Sequence, residues 1–278
     1  MPHTNTTEPV AVTTPAASES VLEFDRVTVE YKTPMGGVNR VLDGISLDVR
    51  RGEFCVLVGT SGCGKSTMLN LAAGLIEPTD GEVRQDGRPV SGVNTRIGYV
   101  TQDANLMPWK TVRENLMLPL AIRNWPADER AARVERWIET VGLAGYADHY
   151  PHELSGGMQK RASIARTLVY DPEIILMDEP FGALDAMTKV VMQDELLRIW
   201  QEARKTIVFI THDLTEAIAL ADRVVAMGKH PGRVKEVLDV RLPRPRDVFH
   251  LMDNREATEM HDRLWELMRD QITDGSNR

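Results

Sequence analysis

Residues 54–67 read FCVLVGTSGCGKST. An apolar run of the kind found in strands buried on both faces passes without a linker into a glycine-rich loop. A run of helix formers, KSTMLNLAAGL (65–75), follows at once. Few folds accept that order. A strand turning through glycines straight into a helix predicts an α/β domain with a mostly parallel sheet. The spacing G-x-x-x-x-G-K-[ST] makes the loop a phosphate cradle. Over Gly59, Thr60, Ser61, Gly62, Cys63 and Gly64, the glycines let backbone amides curl around phosphate oxygens. Lys65 reaches the β- and γ-phosphates, Ser66 offers a hydroxyl to Mg²⁺, and Thr67 extends the phosphate contacts.

The rest of the chain fits a sheet of this kind. VLEFDRVTVEY (21–31) alternates as a half-buried strand, 41–53 adds a strand and a Gly turn, and GEVRQDGRPV (81–90) is a hairpin turning at Asp86-Gly87. Short apolar strands recur at 96–102, 173–180, 206–213 and 223–228, with helical stretches between them. The stretch 103–170 interrupts the alternation and predicts an inserted helical subdomain. One of its helices, TVRENLMLPLAIR, is expected to break at Pro119. After the Pro-rich linker RLPRPRD, an amphipathic pattern through Leu251, Met260, Leu264, Leu267 and Met268 predicts a C-terminal helix.

Several strand ends carry polar residues, where ligands bind in open α/β sheets. IILMDEP (174–180) ends on two carboxylates. Asp178 can hold Mg²⁺ through water, and Glu179 can orient and polarise a water for attack on a γ-phosphate. His212 follows the strand TIVFI in THD and Gln102 ends IGYVTQ; taken alone, such residues are more often structural than functional. A second phosphate-grade helix start is more puzzling. In LSGGMQKR (154–161), Ser155, Gly156 and Gly157 stand directly before a helical run, the chemistry of an anion site at a helix N-terminus. One nucleotide does not need two such starts from one chain.

Taken in order, these segments resemble the ATP-binding cassette family over nearly all of 21–240. GTSGCGKST is similar to its Walker A, Gln102 to its Q-loop glutamine, LSGGM to its signature motif and IILMDEP to its Walker B. GALD (182–185), with Asp185, is similar to its D-loop, His212 to its H-loop histidine, and Tyr31 to the aromatic residue that stacks on adenine. The resemblance implies a P-loop NTPase fold, RecA-like, with an antiparallel β subdomain and an inserted α-helical subdomain. It places Glu179, His212 and Gln102 in catalysis, and Ser66, Gln102 and Asp178 around Mg²⁺. It also implies that two copies pair head to tail. ATP would then lie between the Walker A of one copy and Ser155, Gly156 and Gly157 of the other, with Asp185 at the junction. One chain would supply half of each of two sites.

Three divisions are expected: a disordered tail over 1–20, the nucleotide-binding domain over 21–245, and a helical tail over 246–278. Residues 1–20 are rich in Thr, Pro, Ser and Ala and lack the basic and apolar regions of a signal peptide. No window is long and apolar enough to span a bilayer, so any membrane role is expected to come through a partner. The two cysteines, Cys55 and Cys63, form no CxxC pair and suit a reducing compartment. A formal net charge of −8 argues against nucleic acid as a partner.

A single cassette resembles the ATPase subunit of a bacterial importer. It would sit peripherally on the cytoplasmic face of the inner membrane under two permease subunits, with a solute-binding protein outside. Leu106, Met107 and Trp109 fit either the groove that receives a permease or the packing of the helical subdomain itself. Two features resemble the nitrate, sulfonate and taurine group of importers: Met158 in LSGGM, and the segment 228–247 with its Pro-Gly-Arg turn. The expected cargo is a small anion such as a sulfonate, taurine or nitrate; the alternatives are a pyrimidine precursor or, outside transport, a soluble cassette ATPase. Met158 is expected to pack its thioether against the opposing chain.

Overall fold

The computed structural model describes residues 19–34, 36–182, 184–229 and 231–273. The expected N-terminal tail, 1–20, falls outside them apart from its last two residues, and Ser20 already opens the first strand. Residues 274–278 of the expected C-terminal tail also lie outside.

The central sheet has six strands in the order β10-β9-β3-β8-β7-β6. They are β3 (Phe54–Val58), β6 (Ile97–Val100), β7 (Ile174–Asp178), β8 (Thr206–Thr211), β9 (Arg223–Gly228) and β10 (Arg233–Asp239). All neighbours run parallel except the edge pair β10–β9. The apolar runs are continuous because both faces are covered. Phe54, Val56 and Val58 point into one core, while Cys55 and Leu57 point into the other.

The second core is closed by an antiparallel sheet, order β2-β1-β4-β5, and by α1 (Lys65–Ala72). Its strands are β1 (Ser20–Lys32), β2 (Val38–Arg50), β4 (Asp80–Gln85) and β5 (Arg88–Pro89). The β4–β5 turn has positive φ at both Asp86 and Gly87, the twist a two-residue hairpin needs. The Gly turn expected within 41–53 lies at Arg51–Gly52, where the Glu53 amide donates to the Arg50 carbonyl, and the other glycine of the segment sits in a bulge. β2 runs straight through Gly44, whose φ is 61°, and the pairing slips between Val27↔Ile45 and Val29↔Leu42.

The helical insert holds α2 (Val112–Ile122), α3 (Ala127–Thr140) and α4 (Gly156–Leu168). α2 opens on a capping box: Thr111 Oγ1 accepts from the Glu114 amide, and the Thr111 amide donates to Glu114 Oε2. The expected break at Pro119 does not occur. α2 continues past it, with the Arg123 amide donating to the Pro119 carbonyl. The reason is tertiary: Leu116 and Leu120 flank Pro119 and are both fully buried in the insert's own core. α4 serves two cores at once. Ile164 and Leu168 pack on the central sheet, whereas Ala162, Ala165 and Val169 pack on α2 and α3.

The remaining helices, α5 (Ala186–Ala203), α6 (Leu214–Leu220) and α7 (Arg255–Thr273), cover the other face of the sheet. α7 buries Ala257, Leu264 and Met268 there. The linker before it is fastened by arginines. Arg246 is 6% exposed and donates to the carbonyls of Ile218, Ala219 and Ala221, capping the end of α6. Arg244 binds Asp222 and lies over the Trp200 ring.

Candidate functional site

The loop between β3 and α1 is shaped by its glycines. Gly62 and Gly64 have φ of 80° and 94°. A Cβ on Gly64 would lie 2.4 Å from Leu42 Cδ2, so only glycine fits against β2 there. Lys65 is 5% exposed, and its Nζ donates to the carbonyls of Gly59 (2.7 Å) and Thr60 (3.2 Å). That holds a cation in the mouth of the loop. Ser66 stands beside Asp178 of β7, where its hydroxyl favours the ionised carboxylate. Cys63 is fully buried, with its amide closing onto the Thr60 carbonyl. Its Sγ accepts from Lys65 Nζ at 3.8 Å, and burial raises its thiol pKa.

Parallel pairing brings the other strand ends beside this loop. Asp178 pairs with Ile210 and Val100 with Met177, so Gln102, Asp178–Glu179 and His212 all emerge at the same edge. Burial holds the Asp178 carboxyl above the ordinary carboxylate range, against the opposing pull of Ser66. Glu179 sits at φ 42°, a left-handed conformation unusual for a non-glycine residue. Its amide donates to the Ile210 carbonyl, and its own carbonyl accepts from Gly182. Its Oε2 lies 3.1 Å from His212 Nδ1, so the exposed imidazole holds the carboxylate in place.

A cleft of about 390 Å³ is lined by Ser61, Gly62, Gly64–Thr67, Gln102, Asp178 and Glu179, with Val41 of β2. It combines phosphate-grade donors with two carboxylates, the apparatus for binding a nucleotide and directing a water at its terminal phosphate. Tyr31 is 47% exposed and pairs with Asn39, two residues before Val41. It therefore stands on the strand pair that borders the cleft.

The residues of LSGGM lie elsewhere. Ser155, Gly156, Gly157 and Asp185 are not among the cleft-lining residues. Ser155 caps α4, its Oγ accepting from the Met158 amide at 3.4 Å, and remains exposed together with Gly156. Asp185 caps α5, accepting from the Thr188 amide, and the Thr188 hydroxyl together with that amide pulls its carboxyl below the ordinary range. The two caps touch: a Cβ on Gly157 would lie 3.1 Å from Thr188 Cγ2. Met158 is half-buried, with part of its side chain packed on the core of its own helical insert. Leu106 is buried in that same core, whereas Trp109 is 70% exposed.

Two residues went unnoticed in the sequence. Lys160 on α4 donates to the carbonyls of Thr101 (2.5 Å) and Gln102 (2.9 Å), and burial pushes its ammonium down to about 8. Arg166 on α4 donates to Ala104 and Asn105. Both bind backbone, so no complementary side chain in the sequence points to them.

Among the described residues no helix is long and apolar enough to cross a membrane, and no group of three or more His, Cys, Asp or Glu could hold a metal by itself. Residues 42–182 match the ABC transporter domain family. A nitrate import ATP-binding protein of Synechococcus elongatus is 42% identical over 253 residues, covering 90% of this chain and 38% of that longer protein. An aliphatic sulfonates import ATP-binding protein of Bacillus cereus is 41% identical over 217 residues, 78% of this chain and 85% of that one. A solved dimeric ATP-binding cassette, in a post-hydrolysis state bound to ADP and Pi, shares the fold with a TM-score of 0.71. It is 34% identical and is matched over 80% of this chain and 100% of its own.

Proposed function

The chain belongs to the ABC transporter family, and from that membership we propose that it is the ATP-hydrolysing subunit of an importer, working as a pair of identical copies beneath two permease subunits. One observation carries this reading. The cleft holds a complete phosphate loop and a water-directing carboxylate, while the capped, exposed start of α4 at Ser155 lies outside that cleft. A helix N-terminus favours an anion. A second copy turned head to tail brings its Ser155 and Gly157 to the γ-phosphate held by the first.

Within each site Lys65 leaves the carbonyls of Gly59 and Thr60 for the β- and γ-phosphates. Glu179 orients the attacking water, and His212 keeps Glu179 aimed through the 3.1 Å hydrogen bond. Gln102 lines the same cleft and reaches the site from β6. Tyr31 offers its ring to the adenine. The donor set suits Mg²⁺, which takes oxygen ligands, one or two of them carboxylates, and leaves the rest of its shell to phosphates and water. Ser66, Gln102 and Asp178 would hold the ion, and it would supply charge neutralisation at the phosphates.

The importer works at the cytoplasmic face of a membrane, and its cargo is a small anion of the sulfonate, taurine or nitrate kind. The nitrate and sulfonate import relatives support that class. A solute-binding protein delivers the cargo from outside. The test is to reconstitute the chain with its permeases in vesicles and to titrate binding protein loaded with each candidate. An anion is expected to raise ATP turnover severalfold. Stimulation by a neutral solute or a pyrimidine precursor alone would overturn the anion assignment. Failure to join the membrane fraction with its permeases, together with retention on nucleic acid, would overturn the importer.

A further inference from the structure

The five residues after β6, Thr101 to Asn105, have no strand to pair with, and their carbonyls need other partners. Four of the five are taken by α4. Lys160 Nζ binds Thr101 and Gln102 at 2.5 and 2.9 Å, and Arg166 binds Ala104 at 3.2 Å and Asn105 at 2.7 Å. The fifth, Asp103, accepts from the Thr101 hydroxyl, which also accepts from the Asn105 amide group. Lys160 is 4% exposed, and its hydrogen-bond partners among the described residues are these neutral carbonyls. Burying an ammonium without a hydrogen-bonded carboxylate is costly, and a packed apolar side chain would stabilise the fold as well or better. What the cation provides is a fixed relation between the loop and the helix.

We propose that Lys160 and Arg166 are positioning residues that fasten the Gln102 loop to α4, so that Gln102 and Ser155 travel as one body. Gln102 lines the chain's own ATP cleft, and Ser155 caps the helix offered to the partner's ATP. α4 also packs on the insert's core, so a push on the insert is passed through α4 to the Gln102 loop. Engagement of Ser155 by the partner's nucleotide then sets Gln102 in its own cleft. The inference rests on the role proposed above for Gln102.

The test is a double-mutant cycle on the full-length chain with Lys160→Met, Gln102→Ala and both together, reading kcat and KM for Mg-ATP. Lys160→Met keeps the aliphatic stem and removes both hydrogen bonds. It is expected to lower kcat at least tenfold with KM within twofold of wild type, and Lys160→Arg is expected to restore most of the loss. On the Gln102→Ala background, Lys160→Met is expected to change kcat by less than twofold, because the residue it positions is gone. If Lys160→Met fails to fold, judged by its thermal melt, Lys160→Gln takes its place under the same criteria. A kcat within twofold of wild type in the Lys160 variant, or losses that simply multiply in the double variant, overturns the proposal. Full activity of Gln102→Ala alone would instead overturn the role given to Gln102, so the two failures are distinguishable.

Discussion

Glu179 occupies a backbone conformation that costs a non-glycine residue on the order of 1–3 kcal/mol. The surroundings enforce it through the Ile210 and Gly182 hydrogen bonds, which aim its carboxylate at the cleft. Glu179→Gln preserves size and backbone but removes the base. It is expected to lower kcat by roughly 100-fold or more while ATP binding persists, measured as turnover against nucleotide affinity. Near-normal turnover would remove Glu179 from its role. Asp178 makes a different prediction. Burial raises its pKa, so the folded chain binds that proton more tightly than the unfolded chain does. Stability is therefore lost as pH rises from the ordinary carboxylate range through the folded value. Without nucleotide, Asp178→Asn should melt above wild type at pH 7, and the gap should close below about pH 4. The same variant should lose Mg-dependent hydrolysis. A gap independent of pH would contradict the account.

Among the elements, those whose partners are side chains or periodic apolar faces were legible in the sequence. β3, β7 and β8 read as buried because their apolar runs are unbroken, and the order of parallel strands then brought Gln102, Asp178 and His212 to one edge. What stayed illegible is bound to backbone. Lys160, Arg166 and Arg246 each satisfy carbonyls, and a carbonyl has no sequence signature. Pro119 misled because the rule that proline ends a helix is local, whereas two buried leucines hold α2 together from the far side. Pro119→Ala restores a helical amide and is expected to stabilise the chain by about 1 kcal/mol or more, read from denaturant unfolding. Destabilisation would mean that the proline is needed for the packing of α2.

At the scale of the molecule, the acidic chain carries two helix starts fit for phosphate, and only one faces its own cleft. α4 makes that division workable. Its N-terminus is exposed, its flank is buried in the insert, and its cations grip the Gln102 loop, so one element touches both half-sites. Pairing of copies is thus part of the chemistry. Sedimentation velocity on Glu179→Gln, with and without saturating Mg-ATP, tests this most directly, alongside the same chain carrying Ser155→Asp. Aspartate keeps the helix cap but sets a negative charge against the partner's γ-phosphate. The account predicts an ATP-dependent dimer for Glu179→Gln and a monomer that still binds ATP when Ser155→Asp is added. A dimer of equal strength in both, or a monomer in both at saturating nucleotide, would contradict it.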